Sequence, residues 1–343
     1  MKALVLEEYN KLVYKDVPDP EINSGEVLVQ VKACGICGSD IHGLDGSTGR
    51  RIPPLIMGHE ASGIIIKTGA DVKSWKSGDR VTFDSTVYPL DDWFTLHGRY
   101  NLSDNREVFG VSPGSYKRNG AFAEYVAIPQ HILYRIPDNV TFEQAAMVEA
   151  VAVALHSINI SCIKPGDSCL VTGAGMIGIF LIKLLKIAGP SVLIVNDLNE
   201  KRTEIAKKAG ADLTFMSDDT SFPDKIRSVT TGRGADISFD AAGTNDSFRA
   251  AISNVRKGGT VVLIGNITPL VEFPLQNAVT RELKILGSCA ICGEYDTVLE
   301  YLKTGKISVD DQIAQVAPLS EGEYWFDRLH NKKDIDGKVI LVP

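Results

Sequence analysis

The sequence predicts an α/β protein in which a doubly wound parallel sheet is inserted into a β-rich domain built from both chain ends. Three observations predict it. Short period-two apolar runs punctuated by Gly and Pro mark residues 1–32 and recur up to Ile128. After Ile160 the pattern changes to strand–helix alternation, the rhythm of a parallel sheet covered on both faces. The second regime opens with Ser168–Gly178, SCLVTGAGMIG, a strand–turn–helix start with an acid, Asp197, about 20 residues further on.

That stretch organises the chain. Cys169–Thr172 reads as a buried strand, Gly173-x-Gly175-x-x-Gly178 opens an apolar helix over Ile179–Ala188, and Val192–Val195 reads as the next strand. The first glycine makes the tight turn, the second admits a pyrophosphate, and the third lets helix and strand pack closely. A lone glycine motif of this kind is weak, but here strand, turn, helix, strand and acid arrive in order. The pattern predicts a Rossmann dinucleotide site with the phosphates at the helix N-terminus, held around Gly173, Gly175, Met176, Ile177 and Gly178. Asp197 is expected to accept hydrogen bonds from the adenosine ribose and to repel a 2′-phosphate, which favours NAD over NADP. The competing reading of Asp197 is a solvated turn carboxylate.

The remaining elements follow in chain order. Lys2–Leu6, Val27–Val31, Ala61–Ile66, Arg80–Phe83 and Glu124–Ile128 are strand candidates, and residues 84–119 form a polar, aromatic-speckled loop or lobe. Thr141-Phe-Glu-Gln144 is a capping box opening a helix over Glu143–Ser157. Strands are expected at 168–172, 191–196, 213–216, 236–240, 260–265 and 283–287, with helices such as Glu200–Ala209 and Ser247–Val255 between them. The tail is expected to hold one helix, Tyr295–Thr304, and one strand, Lys338–Val342. This places a β-rich domain at 1–150 and 288–343 and the nucleotide domain at 151–287.

Composition narrows the class. Of 343 residues 44% are hydrophobic and 23% charged, a globular profile with ample core, and the net charge of −7 argues against nucleic acid and anionic membranes as partners. The N-terminus has no apolar leader, and no apolar run reaches the roughly 18–20 residues of a membrane span, so a cytoplasmic protein is expected. Six cysteines are too few for a disulfide framework and should be free thiols or metal ligands.

A metal constellation is the second functional signal. Cys37-Gly-Ser39-Asp-Ile-His42 is followed by Gly58-His59-Glu60, and Glu149 opens the helix that leads into the second domain. A thiolate, an imidazole and a carboxylate on strand ends can hold one zinc with a position left open, as a catalytic site requires. Glu149 binds that zinc directly or holds its water. Such a zinc polarises an alcohol oxygen and lowers its pKa, while Ser39 and His42 can both donate and accept the proton that must leave. Alternative readings are a buried Cys acting as a small hydrophobe, a structural His-Glu pair, a redox Cys34-x-x-Cys37, and a four-thiolate site shared with Cys289-x-x-Cys292. His156, on an apolar helix, reads as a satisfied structural residue.

Together with Lys76-Ser-Gly-Asp-Arg-Val81 and Lys164-Pro-Gly-Asp167, these motifs resemble the zinc-dependent medium-chain dehydrogenase/reductase family across essentially the whole chain, and most of all its sorbitol- or iditol-type polyol branch. The resemblance implies a GroES-like catalytic domain joined to the Rossmann domain, an active site in the cleft, NAD as hydride acceptor and a homodimer or homotetramer. It implies zinc on Cys37, His59 and Glu60, with Glu149 at the family's second glutamate. It also implies Arg202 near the adenosine, and Ile264, Gly265, Asn266, Ser288, Cys289 and Ala290 near the nicotinamide. The implied reaction is reversible oxidation of a secondary alcohol in a polyol, sugar acid or sugar phosphate to a ketone. A threonine- or butanediol-type dehydrogenase is the alternative within the class, and an inactive NAD-binding sensor or structural protein the alternative outside it.

Three departures qualify the match. Where many members carry four cysteines for a structural zinc, this chain has Pro89, Asp92, Thr95 and Ser103, so no structural zinc is expected and the lobe should rest on packing around Trp93, Phe94 and Tyr100. Ala150 replaces the usual Pro after Glu149 and can let the helix run through Glu149. Cys289-Ala290 stands where sorbitol enzymes have an Arg-Tyr pair that contacts substrate, which weakens the case for sorbitol itself.

Overall fold

The computed structural model describes residues 1–331 and 335–343. The chain divides into two compact units, Met1–Glu149 with Ile291–Pro343, and Ala150–Ala290.

The second unit is built on a six-stranded parallel sheet. Its order is Leu213–Met216, Val192–Asp197, Ser168–Thr172, Ala235–Asp240, Val255–Leu263 and Lys284–Gly287, so the chain runs outward from the centre, switches side and runs outward again. This is the doubly wound arrangement in which ligands bind beyond the carboxyl ends of the central strands. Ser168–Thr172 is central and buried at every position, which is why it reads as a continuous apolar run and not as an alternation. Helix Met176–Ala188 begins three residues earlier than its apolar pattern suggests and ends on Gly189, whose φ of 77° a side-chain-bearing residue adopts only at a cost.

The first unit centres on a mostly antiparallel sheet, in which only the edge strand Ile313–Pro318 runs parallel to its neighbour. Leu133–Arg135, Arg80–Phe83, Glu60–Thr68, Glu26–Gly35, Lys338–Val342 and Ile313–Pro318 lie in that order, and Tyr125–Pro129 pairs with the first half of Glu26–Gly35. A smaller sheet joins Lys11–Asp16, Lys2–Glu8 and Leu55–Ile56. The C-terminal strand sits directly against the strand leading to Cys37, with Ile340 opposite Gly35 and Leu341 opposite Cys34. The unit's large core includes Leu4, Val29, Ile65, Phe83, Phe122 and Phe326.

Several elements depart from expectation. The helix expected over Glu143–Ser157 is two: Met147 closes Phe142–Ala146 by donating its N–H to Gln144, and Val148–Ser161 starts immediately afterwards, running through Glu149. The tail holds, besides Tyr295–Lys303 and Lys338–Val342, a strand Ile313–Pro318 and a helix Gly322–Asn331. That strand is mostly exposed and has a single neighbour, so its sequence carries little alternation to read. The lobe at 84–119 contains a two-stranded ribbon, Thr86–Val87 with Glu107–Val108, and a short helix, Trp93–Leu96.

Candidate metal centre and cofactor loop

The metal constellation converges in the first unit. One ligand atom each from Cys37, His59 and Glu60 lies within 4.8 Å of the others, a spacing that one ion can bridge. Glu60 opens the Glu60–Thr68 strand and His59 directly precedes it, but Cys37 does not sit on a strand end as the sequence suggested. Cys37 caps a helix, Gly38–Gly43, that carries Ser39 and His42 three residues apart. This six-residue helix is bounded by glycine at both ends, so no propensity marks it. Asp40 supplies the missing stabilisation by accepting the Cys37 backbone N–H at 3.2 Å.

Asp40 also works on His59. It is completely buried, accepts Arg51 Nη2 at 2.9 Å, and lies 3.5 Å from His59 Nδ1, too long for a hydrogen bond but close in charge. Burial disfavours the charged imidazole, yet the Asp40 carboxylate outweighs it and holds His59 well above its usual pKa. Arg51 Nη2 additionally donates to Ser39 Oγ at 3.0 Å. The sequence argument missed Arg51: it lies in a turn-rich stretch, and only the fold brings it back over the helix.

Lys338 is a second residue the motifs did not reveal. Its ammonium, buried like Glu60, approaches both oxygens of that carboxylate, at 2.8 and 2.6 Å. The pairing follows from the C-terminal strand lying against Glu26–Gly35, a contact 278 residues distant in sequence. Glu149, on the first turn of Val148–Ser161, accepts Ser85 Oγ at 3.4 Å, and desolvation with the negative charge of Glu60 raises it well above the carboxylate range. A dication reverses that repulsion. A soft thiolate, an imidazole and a carboxylate at bridging distance, beside a further carboxyl whose pKa burial and Glu60 raise, fit zinc.

Ser39 and His42 are exposed on their helix. Ser39 Oγ accepts from Arg51 with one lone pair, so it keeps its own proton to donate and a second lone pair to accept.

The lobe is held differently from the expected packing. Trp93 is 63% exposed, stacked on His97, and contributes little burial. Order comes from Asp92, whose carboxylate caps the Trp93–Leu96 helix at Phe94 N (2.9 Å), and from Tyr100, which stacks on Tyr88 and donates to Asp84 at 2.7 Å. Polar groups that cap and bridge thus order the segment around Trp93, while Tyr88 and Tyr100 are half-buried and Phe109 is buried in the core.

In the second unit the three glycines meet distinct constraints. Gly173 has φ +93°, a Cβ at Gly175 would meet nothing within 4 Å, and a Cβ at Gly178 would lie 2.0 Å from Gly173 O. The turn, the open approach and the tight packing are thus three separate positions. Asp197, at the end of its strand, accepts Ala174 N at 2.7 Å and Asn199 N at 2.9 Å. It therefore ties the glycine loop to the neighbouring strand, and is not a solvated turn residue. Arg202 lies in the first turn of Glu200–Ala209, capped by Asn199. Ile264 and Gly265 donate their N–H groups to Asp240 O, Gly265 packs against Gly243, and Ser288 N bonds Leu263 O. Ile264–Asn266 and Ser288–Ala290 consequently follow adjacent strands at the same, carboxyl edge of the sheet as Gly173.

Residues 23–138 match the family described as the alcohol dehydrogenase GroES-like domain, and residues 177–304 the family described as zinc-binding dehydrogenase. The chain belongs to the zinc-binding dehydrogenases. It is an oxidoreductase of the alcohol dehydrogenase class, served by zinc and by NAD or NADP. D-xylulose reductase A of Aspergillus niger is 33% identical over 97% of this chain and 94% of its own length. Sorbitol dehydrogenase of Bacillus subtilis is 30% identical over 100% of this chain and 97% of its own. A zinc-binding dehydrogenase from Sinorhizobium meliloti 1021, solved with NADP bound, superposes with a TM-score of 0.88 at 29% identity, covering 100% of this chain and 99% of the other.

Proposed function

We propose that this enzyme oxidises a secondary alcohol of a polyol-like substrate to a ketone, reversibly, with NAD as hydride acceptor and a single zinc per chain. The observation that carries the reading is the Cys37–His59–Glu60 cluster, buried in part and braced by Asp40, Arg51 and Lys338. Cys37, His59 and Glu60 hold the metal, with Glu149 as a further ligand or as the group that orients its water. Zinc in such a site acts as a Lewis acid toward an alcohol oxygen. The chain's own residues handle the proton. Ser39, fixed by Arg51, accepts it from the substrate hydroxyl and passes its own toward His42, which is exposed to solvent. A bound dinucleotide would supply the hydride acceptor, so that alcohol and oxidised dinucleotide would give ketone, reduced dinucleotide and one proton.

NAD is preferred here because Asp197 is buried and ionisable beside the glycine loop, and a 2′-phosphate brought to it meets a carboxylate. Solved relatives hold NADP in one case and NADH in another, so the fold does not decide between the dinucleotides and Asp197 is the support for NAD. Arg202, Ile264, Gly265, Asn266, Ser288, Cys289 and Ala290 complete the cofactor site in this reading. One zinc is proposed because Pro89, Asp92, Thr95 and Ser103 offer the lobe no thiolate, and Asp92 is already spent as a cap. Relatives named for xylulose and sorbitol support a polyol substrate, while Cys289-Ala290 argues for one read differently from sorbitol. A reducing, cytoplasmic setting is supported by six free cysteines, and among the described residues no helix is long and apolar enough to cross a membrane. A homodimer or homotetramer is supported by the exposed apolar side chains Leu270, Leu275 and Val279.

The test is a rate panel on the zinc-loaded enzyme: sorbitol and D-xylulose against threonine and 2,3-butanediol, each with both dinucleotides, alongside zinc counting. Polyol or ketose turnover with NAD and one zinc per chain is expected. Faster threonine or butanediol turnover overturns the substrate class, and two zincs overturn the single-metal reading.

A further inference from the structure

The second unit carries a cleft of about 340 Å³ away from its cofactor edge. Among its lining residues are Gly234, immediately before the Ala235–Asp240 strand, and Val255, the first residue of Val255–Leu263. Gly173, Gly243 and Gly265 instead follow their strands. In a parallel sheet these are opposite edges, so the cleft lies at the amino ends of the strands and is no part of the dinucleotide site.

Four cations line it, Arg227, Arg233, Lys257 and Arg281, and no Asp or Glu does, in a chain whose net charge is −7. Helix C-termini explain part of this. Phe222–Val229 and Asn245–Asn254 both end here, and their last carbonyls attract cations. Arg281 serves that purpose, donating to Ile252 O at 2.8 Å and to Val255 O. Arg227 is paired with Asp224 at 3.1 Å.

The other two cations have no such employment. Arg233 is steadied through Nε by Thr231 Oγ1 at 3.1 Å, which leaves both terminal nitrogens, and Lys257 Nζ makes no ion pair among the described residues. Burial and the charge of Arg227 together hold Arg281 below its ordinary pKa, so the cluster already repels itself. Asn254 and Asn277 add neutral hydrogen-bonding groups to the wall. A volume of this size falls in the range of small-molecule sites.

We propose that this cleft is a second ligand site, for a small phosphate-bearing polyanion carrying at least two negative charges, held chiefly by Arg233 and Lys257 over the floor that Arg281 fixes. Guanidinium and ammonium donors converging without a counter-carboxylate form charge-assisted bonds to phosphate oxygens, and a multiply charged anion relieves the repulsion among them.

Inorganic pyrophosphate is the probe, titrated calorimetrically into the zinc-loaded full chain saturated with its dinucleotide, so that the cofactor's own phosphate site is filled. One pyrophosphate per chain is expected, bound more tightly than inorganic phosphate and more weakly as salt is raised. Arg233→Gln and Lys257→Gln change exposed side chains with no packing task, and each is expected to weaken binding at least about tenfold. Their thermal transitions and dinucleotide affinities should match the parent, which separates site loss from misfolding. Absence of pyrophosphate binding, binding abolished by the dinucleotide, or binding untouched by both substitutions overturns the proposal.

Discussion

In the proposed cofactor site, Asp197 carries two tasks on one carboxylate. Each oxygen already takes a backbone N–H, from Ala174 and Asn199, and each keeps capacity for one more bond, which the ribose hydroxyls need. Asp197→Asn retains one acceptor and loses the charge. It is expected to raise KM for NAD by about tenfold, the worth of one charge-assisted hydrogen bond, and to narrow the preference over NADP. Parallel kcat/KM measurements with both dinucleotides check this, and an unchanged preference overturns the ribose assignment. Asp84 illustrates the opposite environment. Desolvation lifts it to about 6, although Thr86 N and Tyr100 Oη both donate to it. Its folded pKa exceeds the unfolded one, so between about pH 4 and 6 the folded state binds more protons, and this residue's contribution to stability falls as pH rises. Asp84→Asn should flatten that part of the stability–pH curve and raise stability at pH 7 by on the order of 2 kcal/mol, read from urea unfolding of the metal-free protein at several pH values. The shift of Asp84 is not legible in sequence, because desolvation is set by what the fold stacks over the group.

At the scale of elements, the glycine loop shows local sequence and tertiary packing in agreement. Gly178 lies in the first turn of Met176–Ala188, where an added methyl would meet Gly173 O at 2.0 Å, a backbone atom that cannot swing away. Gly178→Ala should destabilise the chain by about 1–3 kcal/mol and weaken the dinucleotide as the helix start is pushed off the loop. Gly175→Ala, with open space at its Cβ, should leave stability nearly unchanged while still impairing cofactor binding. Thermal unfolding with and without dinucleotide separates the two, and equal losses of stability overturn the division of roles. The helix Gly38–Gly43 is the counterexample. Two glycines and a β-like lead-in conceal it, and it exists because Asp40 is anchored at once by Cys37 N and Arg51. Motif spacing located Cys37, Ser39 and His42 without revealing that they share one helix.

For the whole molecule, two units with separate cores predict separable responses to their cofactors. The proposed metal ligands Cys37, His59 and Glu60 all belong to the first unit, and the glycine loop with Asp197 to the second. Chelation of zinc should raise amide exchange in Gly38–Gly43 and Glu60–Thr68, because the ion crosslinks those segments and offsets the crowding of Asp40, Glu60 and Glu149. Ser168–Thr172 and Met176–Ala188 should stay protected. Adding dinucleotide to the metal-free protein should slow exchange in the second unit's loop. Exchange rising equally in both units on chelation overturns this assignment of the metal.

The sequence by itself determined the strand–turn–helix grammar of the Rossmann half, the acid Asp197 at the end of its second strand and the grouping of Cys37, His59 and Glu60 in one cluster. Each depends on residues close in the chain, where turn geometry, helical spacing and side-chain chemistry act directly. Tertiary structure alone decided that Lys338 neutralises Glu60, that Arg51 serves Ser39 and Asp40 together, and that Glu149 and Asp84 are lifted out of the ordinary carboxylate range. Those outcomes require groups far apart in sequence to be buried side by side, and the energy of a charge in a folded protein is fixed by the neighbours and the water it has lost.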